Sequence, residues 1–81
     1  MTNEYSLHYY NSHALLMVNT QGIIRVLYTP FRVQCIDAIA SIPENTSVYV
    51  EEVFCTEKDE LRYMILGAIY SYKNFQLLSN F

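Results

Sequence analysis

The chain has 81 residues, of which 52 % are hydrophobic, 15 % aromatic and 16 % charged, and its formal net charge is −3. A chain of this length is one domain, residues 1–81, whose small core must offset a backbone entropy of about 1–2 kcal/mol per residue. Its five basic residues are scattered along the chain, which argues against direct nucleic-acid binding through a concentrated basic patch.

The first 22 residues are expected to form an N-terminal extension that adds a strand or a short helix. Asn3 is a helix-capping residue type, but the apolar stripe that follows it is poor, so both alternatives stay open. The opening MTNEYSLHYY has neither the basic start nor the apolar run of a signal peptide. No segment reaches the roughly 20 apolar residues of a transmembrane helix. We therefore expect a cytoplasmic protein without a membrane segment.

Residues 13–18 (HALLMV) and 23–28 (IIRVLY) are predicted to pair as a β-hairpin, because the intervening NTQG suits a four-residue connection. Both segments are apolar on both faces. One face should cover the core, and the other should be covered by the N-terminal residues or by another chain. We therefore predict a partner contact on this hairpin. Its residues are Leu16, Val18, Ile24 and Tyr28.

The middle of the chain is predicted to form further short strands. Thr29-Pro30 interrupts the pattern, since proline has no N–H for a ladder, and FRVQCI (31–36) then alternates as a strand. Residues 37–47 are predicted to be a connection, with its isoleucines plugging the core. In VYVEEVFC (48–55) the apolar positions jump by three, which predicts a β-bulge at Glu51-Glu52.

The last predicted hairpin joins LRYMI (61–65) to AIYSY (68–72) through Leu66-Gly67, where glycine supplies a positive φ. With a two-residue loop, Tyr63 should lie opposite Tyr70, and Arg62 opposite Ser71.

From residue 23 onward this order of elements resembles an SH3-like small β-barrel. VLYTPF is similar to the family's opening strand, IPENTSVYVEEVF to its long loop and next strand, and Gly67 through YKNFQLL to its closing segment. The layout over residues 23–78 is also similar to that of short, β-rich bacterial proteins. The resemblance implies an all-β fold, a 3₁₀ turn at Asn74-Phe75, a last strand that pairs with the first, and Leu77 in the core. Because the chain has no tryptophan and no acidic cluster in the first loop, proline-rich peptide binding is not carried over.

No catalytic site, metal site or cofactor is predicted. His8 and His13 have only Glu4 nearby as a further ligand type, and the two glycines do not make a phosphate loop. The adjacent acids at 51–52 and 59–60 would point to opposite faces of a strand, so they do not form an acid/base pair. Cys35 and Cys55 show no metal-ligand spacing and are expected to be reduced thiols, with a cross-strand disulfide as the alternative.

Tyrosine is the compositional signal with functional content, because its large rigid ring and polar tip favour interfaces. The chain has eight tyrosines. The aromatic residues added to the predicted partner contact are Tyr9, Tyr10, Tyr72 and Phe75.

The expected function is that of a non-catalytic interaction or assembly subunit, which binds a protein partner or a second copy through an apolar, tyrosine-rich face. No small-molecule substrate is identified. The alternative is an accessory subunit of a polymerase- or ribosome-associated machine, with phosphate contacts from Arg25, Arg32 and Arg62. A third possibility is an aromatic-cage or peptide binder that uses Tyr28, Tyr72 and Phe75.

Overall fold

This computed structural model describes residues 5–78 of the chain. These residues form nine short strands and one 3₁₀ turn. The all-β prediction is confirmed. The strands are β1 (Tyr5–Asn11), β2 (Ala14–Asn19), β3 (Ile24–Tyr28), β4 (Phe31–Cys35), β5 (Ser47–Val50), β6 (Glu52–Cys55), β7 (Leu61–Ile65), β8 (Ala68–Ser71) and β9 (Phe75–Leu77), with the 3₁₀ turn at Tyr72–Asn74. Within the described residues no helix has the length and apolar character needed to cross a membrane.

The strands form three antiparallel sheets of three strands each, in the orders β1-β2-β3, β5-β4-β9 and β6-β7-β8. Within the described residues the three sheets are therefore separate, and no continuous hydrogen-bonded sheet closes into a barrel. The chain passes from the second sheet to the third at Glu51, whose backbone N–H donates to the Met64 carbonyl at 2.8 Å. Val50 and Val53 are both fully buried. An irregularity at residue 51 thus restores the inward face, as predicted, but it divides the predicted strand 48–55 into β5 and β6, which belong to different sheets.

One apolar core lies where the three sheets meet. β2 contributes Leu15 and Met17, and the irregular connection contributes Ile42. The other members from the second and third sheets are Phe31, Val33, Cys35, Val50, Val53, Leu61, Tyr63, Ile65, Phe75 and Leu77. The predicted burial of Leu77 and the plugging role of Ile42 are confirmed.

The N-terminal segment is a strand where the structure describes it. β1 pairs with β2, with Leu7 opposite Met17 and Tyr9 opposite Leu15, and the register shifts after Tyr9 so that Tyr10 is the extra residue. The helix alternative is wrong for residues 5–22. The predicted cap Asn3 lies outside the described residues.

Both predicted hairpins are confirmed. β2 and β3 pair with Leu16 opposite Val26, and Gly22 takes a φ of +82° in their connection. In the β7–β8 turn, Leu66 and Gly67 have φ values of 52° and 78°, and Tyr63 lies opposite Tyr70. Arg62 lies opposite Ser71, again as predicted.

Two sequence-based boundaries need correction. β3 was predicted to open the barrel and to pair with the last strand as well as with β2, but β2 is its one partner among the described strands, so residues 24–28 belong to the sheet of the N-terminal strands. β9 pairs with β4, which begins only after Pro30. The closing turn is Tyr72–Asn74, so it begins two residues earlier than predicted. Phe75 is the first residue of β9, and its side chain is buried in the core.

Candidate functional site

The surface with the clearest functional content is one face of the β1-β2-β3 sheet. Leu16 lies opposite Val26 and Val18 opposite Ile24, and Tyr28 follows on the same side of β3. Successive side chains of a strand point to opposite faces, so the side chains of Leu15 and Met17, which enter the core, lie on the other face. We call the first set the outer face. It comprises Leu16, Val18, Ile24, Val26 and Tyr28.

The outer face is apolar and open to solvent along β3. Ile24 is 60 % exposed, Val26 40 % and Tyr28 68 %, whereas Leu16 and Val18 in the central strand are half-buried. Of the eleven exposed large apolar side chains in the described residues, four fall within residues 23–28. Three of the eleven lie on β3 itself, which is more than any other strand carries.

The opposite margin of the same face is polar. Ser6 lies beside Val18 and His8 beside Leu16 in β1. The Ser6 hydroxyl and His8 Nε2 are 2.9 Å apart, so these side chains bond to each other at the rim. An apolar centre with a polar rim is the arrangement of protein-binding surfaces.

Four of the predicted contact residues are thus brought together: Leu16, Val18, Ile24 and Tyr28 share the outer face. Val26 was not predicted as a contact residue, although the alternation that places Ile24 and Tyr28 on this face places Val26 there as well. Tyr9 and Tyr10 are exposed at the far end of β1, where the strand is irregular.

The two aromatics near the C-terminus lie elsewhere. Phe75 is only 7 % exposed and belongs to the core, which corrects its assignment to a contact surface. Tyr72, also predicted to belong to the partner contact, is half-buried against the core. Both line a groove of about 560 Å³ together with Tyr5, Leu7 and Ile36. Tyr28 does not line this groove, so the three aromatics of the predicted cage are not assembled.

The three arginines of the nucleic-acid alternative lie in three different sheets. Arg25 is on β3, Arg32 on β4 and Arg62 on β7. Arg62 forms an ion pair with Glu60, at 3.3 Å between Nη2 and Oε1. A carboxylate thus already neutralises one of the three charges that the alternative would direct at phosphates.

Among residues 5–78, no group of three or more His, Cys, Asp or Glu side chains could hold a metal ion. Cys35 is buried, with its Sγ 3.3 Å from the Asp37 carbonyl, and Cys55 is exposed. Both cysteines are free thiols.

No protein-family model, no curated protein and no solved structure matches this chain.

Proposed function

We propose that this protein is a non-catalytic assembly subunit that docks on an apolar protein surface through its outer face. The observation that carries the proposal is the alignment of five apolar side chains on one exposed sheet face, with a polar rim on one side. Burial of apolar area contributes about 25 cal/mol per Å², so a face of this kind can offset the entropic costs of association.

Charge supports the same partner chemistry. Residues 5–36 contain no Asp or Glu, and the eight acidic residues lie before or after that stretch. The N-terminal sheet can therefore be desolvated without burial of a carboxylate, which is costly unless the carboxylate is paired.

For the rest of the chain we propose an SH3-like arrangement in a cytoplasmic accessory subunit. β4 pairs with β5 on one side and β9 on the other, and a 3₁₀ turn precedes β9, which supports the resemblance. The two free thiols, one of them exposed, support a reducing compartment.

The test compares Leu16→Asp with Met64→Asp. Each residue is half-buried in the central strand of its sheet, but Leu16 is on the outer face and Met64 is in β7. Tagged wild-type protein and both variants are used to capture partners from extracts of the source organism. Bound protein is washed at low and high salt, with and without nuclease, and folding is checked by circular dichroism.

We expect the wild type and Met64→Asp to retain the same partner through high salt and nuclease, and Leu16→Asp to lose it. Retention of the partner by folded Leu16→Asp contradicts the proposal. A partner lost from the wild type with salt or nuclease also contradicts it and favours the arginine alternative.

A further inference from the structure

The free edge of β3 presents a regular row of backbone hydrogen-bonding groups. β3 is the outermost strand of its sheet, and no described strand pairs with its far side. The Thr29 N–H donates to the His13 carbonyl at 2.9 Å, and the Asn19 N–H donates to the Ile23 carbonyl at 3.1 Å. Hydrogen-bonded pairs alternate along an antiparallel ladder, so Arg25 and Leu27 also bond to β2. The backbone groups of Ile24, Val26 and Tyr28 therefore point away from the sheet.

This edge carries one feature that protects edge strands from pairing, the charge of Arg25 on the same sheet face as Leu15 and Met17, but it has no proline, lysine or bulge. Natural edges carry proline, lysine, bulges or inward charges, or they are very short. β3 is five residues long, IRVLY, and its only charged residue is Arg25. The side chains of Ile24, Val26 and Tyr28, the residues whose backbone is directed outward, all lie on the outer face.

We propose that β3 pairs in antiparallel register with β3 of a second copy, about a twofold axis through Val26. Ile24 then lies opposite Tyr28 of the partner subunit, and Val26 lies opposite Val26 of the partner subunit. Each outward-pointing position meets another outward-pointing position, so the backbone groups at residues 24, 26 and 28 are all paired. A two-residue slip either way removes the outermost of these pairs.

The strand sequence favours a copy of itself as the occupant. In this register Arg25 lies opposite Leu27 of the partner subunit, so like charges are not directly opposed. Residues 5–36 contain no Asp or Glu, so the three strands of this sheet contribute no carboxylate to the junction. Ile24 and the partner subunit's Tyr28 form an apolar–aromatic cross-strand pair, which stabilises antiparallel sheets.

The dimer deepens the proposed function and rests on it, because the two outer faces become one continuous apolar surface across a six-stranded sheet. A single five-residue edge buries less than the roughly 800 Å² per partner of a standard interface. The dimer is therefore expected to be concentration-dependent, and the shared outer face remains available to a protein partner.

Sedimentation of the purified full chain over a range of concentrations tests the pairing. Val26→Pro removes the outward N–H at the centre of the junction but no bond to β2, and proline is tolerated on the free side of an edge strand. Val26→Thr is the matched control, since it keeps both the branched shape and the N–H. We expect Val26→Pro to weaken dimerisation at least 100-fold and Val26→Thr to weaken it less than about tenfold.

Leu16→Asp separates the two proposals, because Leu16 lies in the central strand and contributes no group to the edge. We expect this variant to dimerise while losing the captured partner. A wild type that stays monomeric at all concentrations overturns edge pairing. So does a dimer that survives Val26→Pro but not Leu16→Asp, which would indicate face-to-face association and leave the proposed function standing.

Amide hydrogen exchange of the wild type tests the pairing of the two β3 strands even if Val26→Pro fails to fold. The amides of Ile24, Val26 and Tyr28 should exchange quickly in dilute protein and slowly in concentrated protein. Those of Arg25 and Leu27 should be protected at both concentrations. Equal exchange of Val26 at the two concentrations, in samples shown to differ in dimer content, overturns the proposal.

Discussion

The ring of Phe31 meets the ring of Tyr63 edge to face, with 5.6 Å between centroids and 85° between planes. Phe31 begins β4 in the second sheet, and Tyr63 is the middle residue of β7 in the third. The Tyr63 ring also packs against Phe75 of β9, at 6.3 Å between centroids. Such pairs contribute about 0.5–1.5 kcal/mol beyond their burial, and here they hold two sheets together in a chain without tryptophan.

The same burial makes stability sensitive to alkaline pH. Removal from water raises the pKa of the Tyr63 phenol well above its ordinary value of 10.0, and the neighbouring Tyr5 and Tyr72 add to the shift. Below pH 10 the phenol is neutral in both folded and unfolded chains, so this stability is fully present. Above pH 10 only the unfolded chain loses the proton, and the free energy of unfolding falls by up to about 1.4 kcal/mol per pH unit.

Denaturant titrations at several pH values between 8 and 11 check this expectation against Tyr63→Phe. The variant keeps the ring but has no ionisable group, so its stability should fall less steeply above pH 10. Parallel pH profiles for the two proteins would contradict the assignment to Tyr63.

Substitution of Leu66 in the β7–β8 turn should increase the stability of the protein. This residue has a φ of 52° and is 76 % exposed, so it bears the cost of the left-handed region, about 1–2 kcal/mol, without burying its side chain. Two-residue hairpin turns with positive φ at both positions favour Asn-Gly. We expect Leu66→Asn to raise the free energy of unfolding by about 0.5–1 kcal/mol, as measured by urea titration.

Leu66→Ala is the control for that substitution, because it removes the same exposed leucine but retains a Cβ without a polar group. We expect Leu66→Ala to give no such gain. Equal stabilisation by alanine and asparagine would show that loss of the exposed leucine, and not relief of the backbone, is responsible.

The hairpin that carries the outer face should depend on Asn19. Its side-chain Oδ1 accepts from the N–H of Gln21 at 2.9 Å and from that of Ile23 at 3.0 Å. Asn19→Ala leaves both donors without this acceptor, and we expect a loss of about 1–2 kcal/mol in the free energy of unfolding. Gln21→Ala in the same loop should change it by less than about 0.5 kcal/mol. Similar values for the two variants would rule out this role for Asn19.

The local elements could be predicted because their signals are local. Leu66-Gly67 set a two-residue loop, and the loop length then dictated that Tyr63 faces Tyr70. The interval between Val50 and Val53 located the irregularity at residue 51. Predictions failed where a residue's neighbours are distant in the chain: Phe75 is buried because it pairs with Cys35 of β4 and packs against Tyr63 of β7. The partner of the last strand was wrong for the same reason: β9 pairs with β4 and not with β3, and no local signal specifies that pairing.

The side chains that share a face of the hairpin could be predicted from the sequence, because alternation along a strand is a property of the backbone. Leu16 goes with Val26, and Leu15 goes with Leu27, whichever way the sheet is turned. Which of the two sets faces solvent depends on how the three sheets pack together. Both faces are apolar, so neither has an intrinsic preference for water, and the contact of Leu15 and Met17 with the other two sheets selects the buried one. The exposed set is left as the candidate surface for assembly.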